Sequence, residues 1–167
     1  MAVLVLNLNK ARAAAFGWTC RPDRRLKMEA RILHIEDNPD DVLLTAMAFR
    51  KAGLAVKVEV VADGDKAMVA LSNNGGTPLP ACILMDIKLP TISGLELLSW
   101  IRKQPHLKRL PVIMFTSSLL PGDINQAYDL GANSYLIKPS KLDALIDLAK
   151  TVELYWLRTN TPPSGDA

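Results

Sequence analysis

Five polar side chains stand where short apolar runs of the sequence end. They are Glu36 and Asp37 after the first run, Asp86 after the third, Thr116 after the fourth and Lys138 after the fifth. Carboxylates held close together repel one another unless a cation lies among them, and Mg²⁺ prefers a shell of oxygen ligands. This set of side chains therefore predicts a Mg²⁺ site, provided that the fold brings the five positions together.

Each of these side chains has a predicted role in phosphoryl chemistry. Asp37 and Asp86 are expected to ligate Mg²⁺ directly, and Glu36 is expected to act largely through water. Asp86 is the predicted nucleophile, because Mg²⁺ and the Lys138 ammonium would neutralise the charge on the transferring group. The Thr116 hydroxyl would hydrogen-bond a phosphoryl oxygen. The alternative is that these residues only cap strands and form salt bridges, which suits any one of them better than it suits all five.

The hydrophobic pattern alternates between short apolar runs and segments with a period of 3.6 residues, which indicates alternating strands and helices. The runs are nearly continuous, as in strands buried on both faces of a parallel sheet. The predicted strands are 31–35, 56–62, 81–85, 112–115 and 134–137. The first predicted helix begins at Pro39 and is stopped by Gly53, with a buried stripe of Val42, Leu43, Ala46 and Phe49. The others lie near 64–73, 93–103, 122–130 and 140–157.

Five strand–helix rounds with right-handed crossovers predict an α/β fold, a doubly wound five-stranded parallel sheet of (βα)5 type. Ligands of such folds bind outside the carboxyl ends of the strands. The five polar side chains stand at those ends, although about a hundred residues separate the first from the last. We therefore expect them to converge on one edge of the sheet.

The charge of the chain is divided unevenly. The formal net charge is +3, but residues 1–27 carry six lysines and arginines against one aspartate, so the remainder is mildly acidic. Direct nucleic-acid binding is not expected of such a domain. We interpret 1–27 as a disordered basic leader or a mis-assigned start before Met28, with a membrane- or partner-binding arm as the alternative. The domain is predicted to span 28–157, followed by a flexible tail at 158–167.

The sequence favours a soluble, cytoplasmic protein. No apolar run approaches the roughly 18 residues that a membrane-spanning helix requires. The cysteines, Cys20 and Cys82, lie far apart and do not form a disulfide framework. A reducing compartment is the simpler interpretation.

Short motifs surround the polar side chains at the strand ends. They are Ile35-Glu36-Asp37-Asn38, Ala62-Asp63-Gly64, Met85-Asp86-Ile87-Lys88-Leu89-Pro90 with Gly94, Phe115-Thr116-Ser117, Gly131-Ala132 and Lys138-Pro139. Each motif alone is weak, but together they are highly specific. From about residue 30 to 152 the sequence resembles the receiver domain of two-component response regulators.

The resemblance implies a flavodoxin-like sheet with strand order 2-1-3-4-5 and a phosphoacceptor, Asp86, that is loaded by a histidine kinase. It also implies that the main-chain carbonyl of Lys88 completes the metal shell and that the Lys138–Pro139 bond is cis. Such a protein is not an enzyme, although it assists its own phosphotransfer and dephosphorylation. The implied switch moves Thr116 toward the phosphoryl group and lets Tyr135 turn inward.

The end of the chain gives the expected partners. Only about fifteen residues follow Val152, too few for a DNA-binding or catalytic module, so a stand-alone receiver is expected. The acids Asp40 and Asp41 and the C-terminal sequence look similar to the single-domain regulators of bacterial phytochrome-type histidine kinases. An apolar group at the end of the last helix, Leu154 to Leu157, predicts a homodimer or a kinase-docking surface centred on Tyr155 and Trp156. The alternative is that these side chains fold back on their own domain.

Three other classes compete with this interpretation. A haloacid dehalogenase-type phosphatase needs an acid two residues after its nucleophile, where this chain has Lys88. A flavodoxin-like cofactor binder needs a phosphate-binding loop after strand one, where Glu36 and Asp37 would repel phosphate. A degenerate receiver that only docks to partners, without taking phosphate, stays open.

Overall fold

The computed structural model describes residues 31–54, 56–72 and 78–163. Strands and helices alternate through all of this part of the chain. The strands are β1 Arg31–Ile35, β2 Lys57–Val61, β3 Cys82–Met85, β4 Val112–Thr116 and β5 Ser134–Ile137. The helices are α1 Pro39–Lys51, α2 Gly64–Ser72, α3 Gly94–Lys103, α4 Pro121–Asp129 and α5 Leu142–Val152. The predicted leader, 1–27, and the last residues of the predicted tail lie outside the described residues.

All five strands pair in parallel, in the order β2-β1-β3-β4-β5. Every residue of β3 and β4 is buried, as the continuous apolar runs predict. Alternate side chains of these strands enter opposite layers: Met85 packs with α2, α3 and α4, and Leu84 packs with α1 and α5. The prediction of a doubly wound parallel sheet is confirmed.

Helix α1 begins where its capping residues predict and buries a different face. Asn38 accepts the backbone N–H of Asp40 at 2.9 Å, and Pro39 occupies the first turn, where the missing N–H costs nothing. The predicted stripe was wrong at Leu43 and Ala46, which are exposed. Phe49 is buried as predicted, but the rest of the buried face consists of Thr45 and Ala48, whose spacing from Phe49 is equally helical. The side-chain types at these positions did not reveal it.

The C-terminal helix changes its winding. A single helix over 140–157 was predicted, whereas α5 ends at Val152 and a π-helical segment covers Glu153–Thr159. In the wider turn the N–H of Asn160 donates to the carbonyl of Tyr155, five residues earlier, at 2.7 Å. Helix α5 buries Leu145, Ala149 and Val152 against the sheet, with the spacing of one helical face. Within the described residues, no helix is long and apolar enough to cross a membrane.

Candidate functional site

The carboxyl edge of the sheet brings the distant polar residues together. Glu36 directly follows β1, Asp86 directly follows β3 and Lys138 directly follows β5. The Lys138 ammonium donates to Glu36 Oε2 at 2.5 Å and to Asp86 Oδ2 at 2.6 Å. These bonds connect residues that are 102 and 52 positions apart in the chain. Glu36 is fully buried and Asp86 nearly so.

Asp41 is a member of this cluster that the sequence analysis did not assign. Its Oδ2 accepts a hydrogen bond from Lys138 Nζ at 2.8 Å. Asp41 lies in the first turn of α1, which begins at the same edge of the sheet as the ends of β1 and β3. Asp41 could have been identified from its position in the first turn of the helix that follows β1, a few residues after the strand end.

The three carboxylates form a set of ligands suited to a hard cation. Glu36, Asp41 and Asp86 each offer an oxygen, and these oxygens all lie within 4.8 Å of one another. Oxygen ligands in this arrangement match the preference of Mg²⁺ and other hard divalent ions, not that of soft metals. Asp37, the other predicted direct ligand, is exposed and lies outside this group of three. Its role as a ligand stays a prediction.

Lys138 controls the charge of the site. Burial alone would lower the pKa of Lys138, but hydrogen bonds to Asp41, Asp86 and Glu36 raise it above its ordinary value. Burial would also raise the pKa of Asp86, but the hydrogen bonds that it accepts and the charge of Lys138 together outweigh burial, so that this pKa lies below its ordinary value. Burial raises the pKa of Glu36, which Lys138 opposes only in part. Lys138 is therefore cationic and Asp86 ionised at neutral pH, as a nucleophilic carboxylate must be.

The loop after β3 holds Asp86 by close backbone packing. The N–H of Lys88 donates to Asp86 Oδ1 at 3.2 Å, and the N–H of Gly94 donates to the carbonyl of Ile87 at 2.8 Å. A Cβ atom at Gly94 would stand 2.0 Å from the carbonyl oxygen of Asp86. Only glycine permits this approach, which explains why the motif around Asp86 includes Gly94. The Lys88 carbonyl stays a predicted ligand.

The two predicted switch residues meet at a common third residue. Thr116 is fully buried, and its Oγ1 accepts the N–H of Ser118 at 3.3 Å. The Tyr135 hydroxyl donates to the carbonyl of the same Ser118 at 3.1 Å, with the ring half-buried against the core. The sequence pairs Thr116 with Tyr135, whereas the link through the main chain of Ser118 was not foreseen.

The prediction of a cis peptide bond before Pro139 was wrong. The described residues contain no cis peptide bond, so Lys138–Pro139 is trans. The trans form is the more stable one for an X–Pro bond, by roughly 0.5–1 kcal/mol. From this trans peptide the Lys138 ammonium still reaches all three carboxylates.

The predicted interface residues border a groove beside the edge strand β5. The groove has a volume of about 320 Å³, and its lining includes Ser134, Leu136, Tyr155 and Trp156. The rings of Tyr155 and Trp156 pack edge to face with centroids 4.9 Å apart. Trp156 and Leu157 contact the core, while Leu154 is 60% exposed and Tyr155 52% exposed. Part of the apolar group therefore folds back, and part of it stays uncovered.

Comparison with known proteins matches this arrangement to one family. The family model described as "Response regulator receiver domain" matches residues 32–150. That span contains the whole carboxyl-edge cluster, from Glu36 to Lys138.

Two curated relatives cover most of the chain. "Probable methanogenesis regulatory protein FilR2" of Methanothrix harundinacea is 36% identical over 134 residues, which cover 79% of this chain and 86% of that protein. Response regulator Rcp1 of Synechocystis sp. is 34% identical over 137 residues, which cover 80% of this chain and 93% of that protein.

Solved structures give the same match. The phosphorylated cyanobacterial phytochrome response regulator RcpA has a TM-score of 0.75 at 35% identity, covering 81% of this chain and 99% of that one. The Mn²⁺-bound form of Rcp1 has a TM-score of 0.72 at 33% identity, with the same coverage of both chains.

Proposed function

This chain belongs to the response regulator receiver domain family, and on that premise we propose that it accepts a phosphoryl group on Asp86 from a histidine kinase. The observation that carries the proposal is the contact of the Lys138 ammonium with Asp86 at 2.6 Å, inside a cluster of carboxylates. An ionised carboxylate beside a fixed cation can attack phosphorus without first losing a proton.

The chemistry is a transfer between two nucleophiles. A carboxylate oxygen of Asp86 forms a bond to phosphorus as the phosphorus–nitrogen bond of a kinase phosphohistidine breaks. Lys138 is placed to donate to an oxygen of the transferred group, and the Thr116 hydroxyl is proposed to donate to another. Bound Mg²⁺ would supply the remaining charge neutralisation, held by Asp86 and Asp37 with Glu36 and the Lys88 carbonyl. The Mn²⁺-bound form of Rcp1 supports a divalent ion in a relative.

The output is proposed to be a change of shape at the face formed by α4, β5 and α5. Movement of Thr116 toward the phosphoryl group would break its bond with the Ser118 N–H. Tyr135 is bonded to the carbonyl of the same residue, so its hydroxyl would lose or shift its partner at the same time. Both switch residues would then respond together, and partners that bind this face would sense the response.

The input is proposed to be a phytochrome-type histidine kinase. The likeness to RcpA, which is described as a phytochrome response regulator, supports this assignment. The likeness spans 99% of that chain, so it is not confined to the phosphorylation motifs.

The proposed phosphorylation is tested by intact-mass measurement of the full chain after incubation with a small phosphodonor such as acetyl phosphate. With Mg²⁺ we expect the mass of one added phosphoryl group, stable in acid and lost in base, because the product is an acyl phosphate. With the metal chelated, the gain should disappear. No gain in mass at any Mg²⁺ concentration would favour the docking-only receiver instead.

We also propose that the uncovered side chains of the C-terminal segment form a homodimer contact that tightens on phosphorylation. Sedimentation should show a larger dimer fraction when beryllofluoride and Mg²⁺ mimic the phosphoryl group. Leu154→Ser/Tyr155→Ser should remain monomeric, because it removes the exposed apolar surface and leaves the half-buried Trp156 in place.

Val69→Ser is the matched control for the dimer. Val69 is 59% exposed on α2, which packs near the opposite edge of the sheet. It should dimerise like the unaltered protein. Monomers in every sample would discard the dimer and leave the kinase as the partner of this surface.

A further inference from the structure

We propose that Asp41 is a positioning residue that holds Lys138 in the unphosphorylated protein and must release it when Asp86 carries a phosphoryl group. The Asp41 carboxylate and the phosphoryl group thus compete for one ammonium, and Asp41 limits how strongly the phosphorylated state is favoured. The inference rests on the proposed function of Asp86.

The Lys138 ammonium has a fixed number of hydrogen-bond donors. A lysine ammonium has three N–H donors. In this structure Lys138 Nζ bonds to three carboxylates, Glu36 at 2.5 Å, Asp86 at 2.6 Å and Asp41 at 2.8 Å. Lys138 therefore has no donor left for a further phosphoryl oxygen beyond the one that it already directs at Asp86. One of the three bonds has to be given up when that oxygen arrives.

The three carboxylates bonded to Lys138 differ in how much it costs to release them. The side chain of Glu36 is 1% exposed, so a carboxylate released there would lose its partner without regaining water. Asp86 itself becomes the acyl phosphate, so its bond to Lys138 stays with the phosphorylated group and frees no donor for a further phosphoryl oxygen. The side chain of Asp41 is 33% exposed. Its carboxylate can turn to solvent, and the N-terminal turn of α1 favours a negative charge at that place. Asp41 is the partner that costs least to release.

Removal of the Asp41 charge should favour the phosphorylated state. Asp41→Asn keeps the shape of the side chain and removes its charge, so Lys138 loses its exchangeable ionic partner. The phosphoryl group then displaces a weaker bond, and the phosphorylated state becomes more stable relative to the unphosphorylated state. Asp41→Ser, whose hydroxyl is shorter, should act in the same direction.

The test is a beryllofluoride titration of the full chain at saturating Mg²⁺, followed by fluorine NMR. For Asp41→Asn we expect the apparent dissociation constant of beryllofluoride to fall about fivefold, the size expected when an ionic bond of a partly exposed pair is removed. Asp40→Asn is the control. Asp40 lies in the same turn of α1 and carries the same charge, but Lys138 bonds to Asp41. It should change the constant by less than about twofold.

A second readout reports the contact without any phosphoryl mimic. The ε-carbon and ε-nitrogen NMR signals of Lys138 should shift in Asp41→Asn and stay in place in Asp40→Asn. A merely structural role of Asp41 would not single out this ammonium.

The outcomes separate the two proposals. Unaltered protein that fails to bind beryllofluoride overturns the proposed function, and the role of Asp41 with it. Binding by the unaltered protein, with Asp41→Asn equal or weaker, overturns the role of Asp41 alone. Equal gains in Asp41→Asn and Asp40→Asn would show a general charge effect, and this too overturns the positioning role.

Discussion

Asp86→Asn is expected to abolish phosphorylation completely. The amide cannot form the acyl phosphate, and the two other carboxylates that Lys138 contacts are unsuited to replace it. Glu36 is fully buried, and Asp41 is set back in the first turn of α1. Intact-mass measurement after treatment with a small phosphodonor and Mg²⁺ should show only the unmodified chain.

A matched control shows whether the loss of phosphorylation is specific to Asp86. Asp129→Asn makes the same chemical change at an exposed position near the end of α4 and should gain the phosphoryl mass normally. The melting temperature of Asp86→Asn should show a folded protein, so that the loss reflects chemistry and not unfolding. A phosphorylated mass in Asp86→Asn equal to that of the unaltered protein would place the acceptor elsewhere.

Among substitutions that add a single methyl group to the site, Gly94→Ala is expected to destabilise the protein most. The added Cβ would stand 2.0 Å from the carbonyl oxygen and 2.9 Å from the carbonyl carbon of Asp86. Both atoms are backbone, so no side chain can move aside. Either α3 withdraws from the sheet or the loop that holds Asp86 shifts. We expect the free energy of unfolding to fall by about 3 kcal/mol, at the upper end of the cost of overpacking.

Gly122→Ala provides the comparison for Gly94→Ala. Gly122 lies in the first turn of α4, and nothing stands within 4 Å of a Cβ built there. Alanine in that place should be neutral or stabilise the protein by up to about 1 kcal/mol, because it restricts the unfolded chain and favours the helix. Urea unfolding followed by circular dichroism measures both variants. Equal stability of the two would contradict the packing argument.

The part of the site that the sequence predicts is the part that strand order controls. Parallel strands end at one edge, so residues directly after buried apolar runs converge whatever the loops between them do. Glu36, Asp86 and Lys138 follow this rule, and the structure brings all three into contact. Thr116 ends β4 at the same edge.

The part that the sequence does not predict depends on how individual side chains turn. Asp41 and Asp40 are adjacent acids in one helical turn, and only the rotation of α1 against the sheet decides which of them faces Lys138. The same rotation buries Thr45 and exposes Leu43, which the apolar pattern does not reveal.

Two backbone features were equally hidden. The π-helical turn after Val152 has no capping or proline signal in the sequence. The trans bond at Lys138–Pro139 was missed because the family resemblance, and not the local residues, suggested cis. In this chain the family resemblance correctly predicts which strand-end side chains meet, but not the conformation of this one peptide bond.

Localisation of the phosphoryl group on the unaltered chain tests whether Asp86 is the phosphoacceptor. The protein is phosphorylated with a small phosphodonor and Mg²⁺, then digested with pepsin in acid, where the acyl phosphate survives, and the peptides are fragmented in a mass spectrometer. We expect a single phosphorylated peptide, with the added mass on Asp86. The mass on any other residue, or spread over several carboxylates, would contradict it.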